Sequence, residues 1–455
     1  ENNAADSMTV GYGNLNEDDA DGSHVFGRKN TSDSFRATTV GSGNFVSGDY
    51  ASTIGYGNDV TTAGSRAHTV GMENVANAED SVMVGSGNEN NAADSMTVGY
   101  GNLNKSNADG SHIFGRKNIS DSFRATTIGS GNINSGDYSM IVGYDNLVDL
   151  DGDTSNVFGR SNEVYSPYST AVGINNIISG ESGAAYGNLN TVTNKGDNTL
   201  IFGIGNTGNA QDCVVLGKEN NINSPNSVIG GYRNYTDSSA GDITIFGRKN
   251  KVESATSVRT MGSGNRALAD LSSTFGNANL ADTKATFGNI FGNFNTGDAK
   301  AAGIFGSGNR NYANHSYIFG NDNINTNNAF KSTTVGEDNA NHGDRSIVVG
   351  SGNTNSGTFS AIFGYGNEST LSAERSHVFG VENISDAEDS IVIGSGNNNT
   401  ASDSMTVGYG NFNEDEADGS HVFGRINTSD SFRATTVGSG NFVSGNFAST
   451  IGYGN

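Results

Sequence analysis

The sequence predicts an all-β fold, a parallel β-solenoid of about 31 coils, each 14–16 residues long. Three observations carry that reading: a phrase that returns at fixed intervals, an Asn that never varies inside it, and a composition too polar for one large core. Gly numbers 65, Pro 2 and Trp 0, and hydrophobic residues make up 33% of 455. The glycines lack the every-third spacing of collagen, so the choice lies between disorder and a repeat structure with a thin core. Regular apolar punctuation favours the repeat.

The stretch 38–58, TTVGSGNFVSGDYASTIGYGN, says the same thing twice. Aligning every such unit gives anchor glycines at Gly11, Gly27, Gly41, Gly55, Gly71, Gly85 and Gly99, and the march runs on to Gly452, 31 in all. The spacing is 16, 14, 14 and then repeats, a supercycle of 44 that slips by one residue between Gly247 and Gly262. Before each anchor the residues alternate in the period-two manner of a strand. The position just before it is almost always Val, Ile or Phe, as in Val10, Phe26, Val40 and Ile54. One position earlier come Thr, Val and Ile, as in Thr9, Val25 and Thr39. Both strand faces are therefore expected to be at least partly covered.

Three residues after the anchor stands Asn in every unit: Asn14, Asn30, Asn44, Asn58, Asn74, Asn88, Asn102 and onward to Asn455. A stack of parallel coils explains that uniformity. Asn tolerates a left-handed turn, and its amide can bond to the amides of the coils above and below. Coils about 4.8 Å apart would then satisfy each other's backbone and turn groups.

With these residues in hand, the unit GSGNFVSGDYASTIG, 41–55, resembles the head repeat of YadA-type trimeric autotransporter adhesins. Gly41, Gly48, Ser52, Ile54 and Gly55 fall on that repeat's positions, the fourteen-residue period matches, and the likeness covers the whole chain. Asn stands where that family usually has Ala, and every third unit carries two extra residues, as in 14–27. The resemblance implies a left-handed parallel β-roll, three chains packed about an axis, and a bacterial head that binds host surfaces such as collagen or fibronectin. No local motif assigns such a ligand to named residues here. A competing geometry is a single chain that winds 44 residues per turn with three lobes per layer, which would set Asn14 against Asn58 and His24 against His68. The unit classes that recur at long range favour it: GYGN at Gly11, Gly99 and Gly408, and GRKN at Gly27, Gly115 and Gly247.

Chemistry-bearing motifs are few. GIGNTG at 203–208 has the letters of a dinucleotide fingerprint but no helix period follows it. Asp149, Asp151 and Asp153 alternate and are a weak calcium candidate, lacking the sixth-position Gly and twelfth-position Glu of a calcium loop. His24, His68, His112, His377 and His421 share one place, three before the anchor, where a half-buried packing role is expected over metal or anion binding. Tyr12, Tyr56, Tyr100 and Tyr144 follow the anchor in another unit class and could form a stacked stripe, structural or docking. Cys213, beside Val214 and Val215, reads as an inert packed thiol. No nucleophile, base and orienting acid recur, so neither an enzyme nor a cofactor is expected.

The formal charge of −23 disfavours a nucleic-acid partner. The chain opens and closes inside the same repeat, and we expect one continuous array, 1–455, excerpted from something longer. Its expected role is a rigid extracellular surface fibre or adhesin head, self-associated as a homotrimer, located at the cell surface or anchored to an outer membrane, contacting a host or neighbouring-cell ligand through repeated weak contacts. A receptor-free filament or sheath is the alternative. An ice-binding solenoid, suggested by Thr38, Thr39 and Thr9, is a weaker third.

Overall fold

The structure, a computed structural model, describes all 455 residues. Parallel coils stack into a β-solenoid, and the only helical turn is a three-residue 3-10 segment, Asp415–Ala417. Each unit is one coil: a five-residue strand holding the anchor glycine, a tight turn, a two-residue strand and a return bend. The first coil has strands Met8–Tyr12 and Leu15–Asn16, and the second His24–Arg28 and Thr31–Ser32.

The chain divides into two compact units, Glu1–Val228 and Ile229–Asn455. In the first, the long strands from Met8–Tyr12 to Val214–Lys218 pair in parallel, each with the next in sequence, and anchor meets anchor: Gly11 with Gly27, Gly27 with Gly41, Gly41 with Gly55. The short strands form a second parallel ladder, Leu15 with Thr31 and Thr31 with Phe45. The second unit repeats this pattern from Thr244–Arg248 to Ser449–Tyr453, with Gly247 opposite Gly262 and Gly262 opposite Gly276. The 44-residue winding is therefore wrong. The neighbour of Asn14 is Asn30, and Asn58 lies three coils away, because one unit of 14 or 16 residues already closes a full turn. Its two-residue extensions bulge from the return bend, where Ala20 N donates to Glu17 O, and leave both strand registers intact.

The core follows from the pleat. Along the long strand the residue two before the anchor points inward, and Val25, Thr39, Thr53, Thr69, Met83 and Ile113 are all buried there. They meet the short strand's second residue, such as Val46, Val60 or Ala76, and a small residue four before the anchor, such as Ala37, Ala51 or Ser81. Two strands this close leave no room for Trp. The expectation that both strand faces are at least partly covered holds, but only the inner face is fully buried. The residue just before the anchor faces outward, and Ile54 is 49% exposed, Val70 42% and Phe305 39%. Within one coil only the inner face has a strand to pack against.

Of the threonines that suggested an ice-binding face, Thr39, like Thr53, Thr69 and Thr97, lies inside the coil with its hydroxyl unpartnered, while Thr38 stands in the outer-face column.

Candidate interaction surface

The invariant Asn is buried and binds in both directions along the stack. Asn44 Nδ2 donates to Asn30 Oδ1 at 3.0 Å and to Gly55 O at 2.9 Å, while Asn44 Oδ1 accepts the backbone N and the Nδ2 of Asn58, each at 3.0 Å. The left-handed residue of the turn is the one before the Asn, at Gly13 (φ 67), Lys29 (φ 56) and Gly43 (φ 68), and the Asn itself keeps a negative φ. The expectation of a left-handed Asn is corrected by one position. Its side chain, not its backbone tolerance, fixes it there.

The anchor glycine is needed for two reasons. Gly306 has φ +136, and a Cβ on it would sit 1.7 Å from the carbonyl oxygen of Gly320 in the next coil. No side chain fits between the two backbones.

A second ladder on the return bend escaped the sequence reading. Asp49 Oδ1 accepts Phe35 N at 2.9 Å, Asp137 accepts Phe123 N at 2.7 Å, and Asp153 accepts Asp137 N at 2.8 Å. The recurrence of Asp six before the anchor was the available signal. Asp153, one of the three calcium-candidate carboxylates, belongs to this ladder. Asp153 spends a carboxylate oxygen on the preceding coil, and no group of three or more His, Cys, Asp or Glu gathers closely enough to hold a metal ion. At the one-residue slip, Asp237 does similar work: its carboxylate accepts Ser254 N at 3.1 Å, Ala240 N at 3.0 Å and Ser239 N at 3.2 Å. Partial burial pushes this carboxyl upward, but the bonds from Ser254, Ser239 and Ala240 outweigh it and hold it below the usual Asp range.

The histidines are not half-buried. His24, His68, His112, His377 and His421 all face outward, because three before the anchor is an outer-face position. Among these His68 bonds Ser52 Oγ at 2.7 Å, and the His421 ring lies 6.5 Å from that of Phe423. Successive positions in this column are one coil apart, so His24 and His68 lie three coils from each other. The tyrosines do not stack on one another for the same reason. Tyr12 lies beside Arg28, Tyr100 beside Arg116 and Tyr144 beside Arg160. The stacked rings belong to the column before the anchor, where Phe275, Phe291, Phe305 and Phe319 lie face to face at 4.9, 4.9 and 5.0 Å.

The fingerprint-like 203–208 lies across the turn between strands Leu200–Ile204 and Thr207–Gly208, with no helix to receive a phosphate. Cys213 is buried in the small-residue column four before its anchor, and burial pushes its thiol up. Two depressions of the surface are open and acidic, one lined by Glu17, Asp18, Asp19 and Asp33 and its counterpart by Glu414, Asp415, Glu416 and Asp430, and a third, on the tight-turn edge, is lined by Arg425, Ile426, Ser439 and Tyr453. What the chain offers a partner is thus not a cleft but three kinds of line running along each stack: an apolar column, a tight-turn edge and an acidic bend. Searches against family models and curated proteins found no match to this chain.

Proposed function

We propose that this chain is the contact-bearing shaft or head of an extracellular surface fibre, working by reach and repeated attachment without catalysis, and that it functions as a homotrimer. One observation carries the reading: the half-exposed Val, Ile and Phe column before each anchor. It runs along each unit, broken in the second at Gly230, as in Val70 and Val84 in the first and Phe305 and Phe319 in the second. Covering each such side chain is worth about 1 kcal/mol, half the full-burial value or somewhat less. Repeated coil after coil, this exceeds the roughly 4–15 kcal/mol that association costs. The fourteen-residue coil and the likeness of 41–55 to the YadA-type head repeat support three chains meeting along that column, and a bacterial cell-surface location. No helix is long and apolar enough to cross a membrane.

A receptor-free filament or sheath is the second reading, favoured by the near-uniform turn edges, which mark no distinct binding tip. Sedimentation equilibrium and bead adhesion separate the two. Three chain masses at micromolar concentration and firm adhesion of chain-coated beads to cells would support the adhesin. A monomer in solution would defeat the trimer, and a trimer whose beads fail to adhere would favour the filament.

A further inference from the structure

Charge is segregated within the first unit. Residues 1–228 contain 26 acidic and eleven basic side chains. Six of those bases occupy the tight-turn edge, the two positions after each anchor: Arg28, Lys29, Arg116, Lys117, Arg160 and Lys218. Only three acids share it, Glu73, Asp145 and Glu219. A strongly acidic unit therefore carries one net-basic edge.

The bases on that edge are also uncommitted. Lys218 pairs with Glu219 at 3.4 Å, but Arg28, Lys29, Arg116, Lys117 and Arg160 are all exposed and enter no ion pair. On the opposite bend Arg66 is held between Glu79 and Asp80, while Arg36 and Arg124 there enter no ion pair either, so what sets the tight-turn edge apart is its excess of bases over acids.

Each free guanidinium on this edge has a tyrosine beside it. Arg116 lies 6.0 Å from the ring centre of Tyr100 and Arg160 5.6 Å from that of Tyr144, and the rings remain 53% and 47% exposed. The second unit repeats the pair, with Arg425 5.8 Å from Tyr409. Next along the edge after Arg28 comes an open floor, Ser42 and Gly43, whereas after Arg116 the Asp145 carboxylate lies over Gly131. A planar cation preorganised on an exposed ring is equipped to take a carboxylate or sulfate in bidentate fashion and to stack a sugar's apolar face.

We infer that the tight-turn edge of residues 1–228 is a docking track for a linear acidic polysaccharide. Its anchoring points are Tyr12 with Arg28 and Lys29, Tyr100 with Arg116 and Lys117, and Tyr144 with Arg160. Arg116 and Arg160 stand three coils apart, about 14 Å, and Arg28 and Arg116 six coils, about 29 Å. Such spacing suits a polymer whose charges are sparse and whose backbone is extended. Duplex nucleic acid, with a charge every roughly 1.7 Å of axis, would find too few cations here and meet the acidic surroundings instead. Each contact is weak, and avidity along the track supplies the strength. The inference names the ligand class for the attachment proposed above and rests on that reading for its purpose, though not for its chemistry.

The test is a solution titration of the whole chain with fluorescent hyaluronan oligosaccharide, polygalacturonate, neutral dextran and duplex DNA. Binding to one or both acidic polysaccharides is expected, weakening as salt rises, with none to dextran and at least tenfold weaker binding to DNA. The triple variant Arg28→Glu, Arg116→Glu, Arg160→Glu should lose at least tenfold in affinity at unchanged melting temperature. The variant Arg36→Glu, Arg124→Glu, on the opposite bend, should lose less than twofold. No polysaccharide binding, equal binding of dextran or DNA, or equal losses in the two variants would overturn the inference. Should the triple variant unfold, Arg28→Gln, Arg116→Gln, Arg160→Gln replaces it under the same criterion. Bead adhesion separates the two proposals: beads that hold equally to cells stripped of acidic polysaccharide overturn this inference and leave attachment standing. Beads that hold to no cell defeat attachment, while the titration still decides the ligand.

Discussion

Asn58 donates both its backbone N and its Nδ2 to Asn44 Oδ1, each at 3.0 Å, although fourteen residues separate the two. That pair defines the height of a coil and explains why the phrase must recur. An Asn amide has one acceptor and two donor hydrogens, and here every one has a fixed partner. The residue before it in the stack, Asn30, and the carbonyl of Gly55 take the donors.

Removing one rung should hurt locally and measurably. In the second unit Asn309 Nδ2 donates to Asn295 Oδ1 at 3.1 Å and to Gly320 O at 2.6 Å, and Asn309 Oδ1 accepts Asn323 N at 3.0 Å. Asn309→Ala leaves the buried Asn323 N–H without a partner, which costs about 1–3 kcal/mol. Stability in a stacked array is roughly a sum of nearest-neighbour terms, so hydrogen exchange should rise in the adjoining coils and stay flat several coils away. Unchanged melting and exchange would show that the rung is dispensable.

The anchor glycine should be less forgiving than the Asn. Gly306→Ala places a methyl where the Gly320 carbonyl already lies and asks an L-residue to hold φ +136. The two coils must part or the strand must turn. We expect a greater fall in melting temperature than for Asn309→Ala, whereas Gly396→Ala, at a turn position with open space around it, should cost only the strain of its left-handed φ, about 1 kcal/mol.

Acid should act through Asp237. Its carboxyl is held below the usual range, so its contribution to stability is complete above the unfolded value, about 3.9, and is lost as pH falls through the lower folded value. The melting gap between wild type and Asp237→Ala should be constant from neutrality down to that point and close below it. A gap that persists at pH 2 would mean that the side chain acts by shape and not by charge.

Chelators should change nothing. The alternate carboxylates Asp149, Asp151 and Asp153 do not converge, and Asp153 is bonded to the preceding coil. Melting temperature and sedimentation should match with and without EDTA, and a drop of several degrees would contradict this.

Breaking the apolar column should separate association from folding. Phe305 and Phe319 stack on the outer face, away from the coil interior. Replacing both with Asp should lower the association state at a given concentration while circular dichroism keeps its β character. An unchanged mass would place the subunit contact elsewhere.

The sequence by itself determined the coil. Its period, strand direction and turn were legible because every unit must meet an identical neighbour, so Gly11, Asn14 and their successors cannot vary independently. Alternation also put Thr39 and Val25 on the opposite face from Val40 and Phe26, but that this face is the inner one only the structure decided. What the sequence also left open was which unit lies next to which. Likeness at 44 residues and likeness at 14 read equally well as stacking, and only the paired strands decide that Asn14 meets Asn30. Tertiary structure alone also decided that the histidine column faces outward, that tyrosines three coils apart meet arginines and not each other, and that the bend carries its own aspartate ladder. The reason is geometric. Sequence spacing fixes a residue's height and angle on its coil, but the partner at that angle belongs to the next turn of the chain, and its identity follows from the pitch.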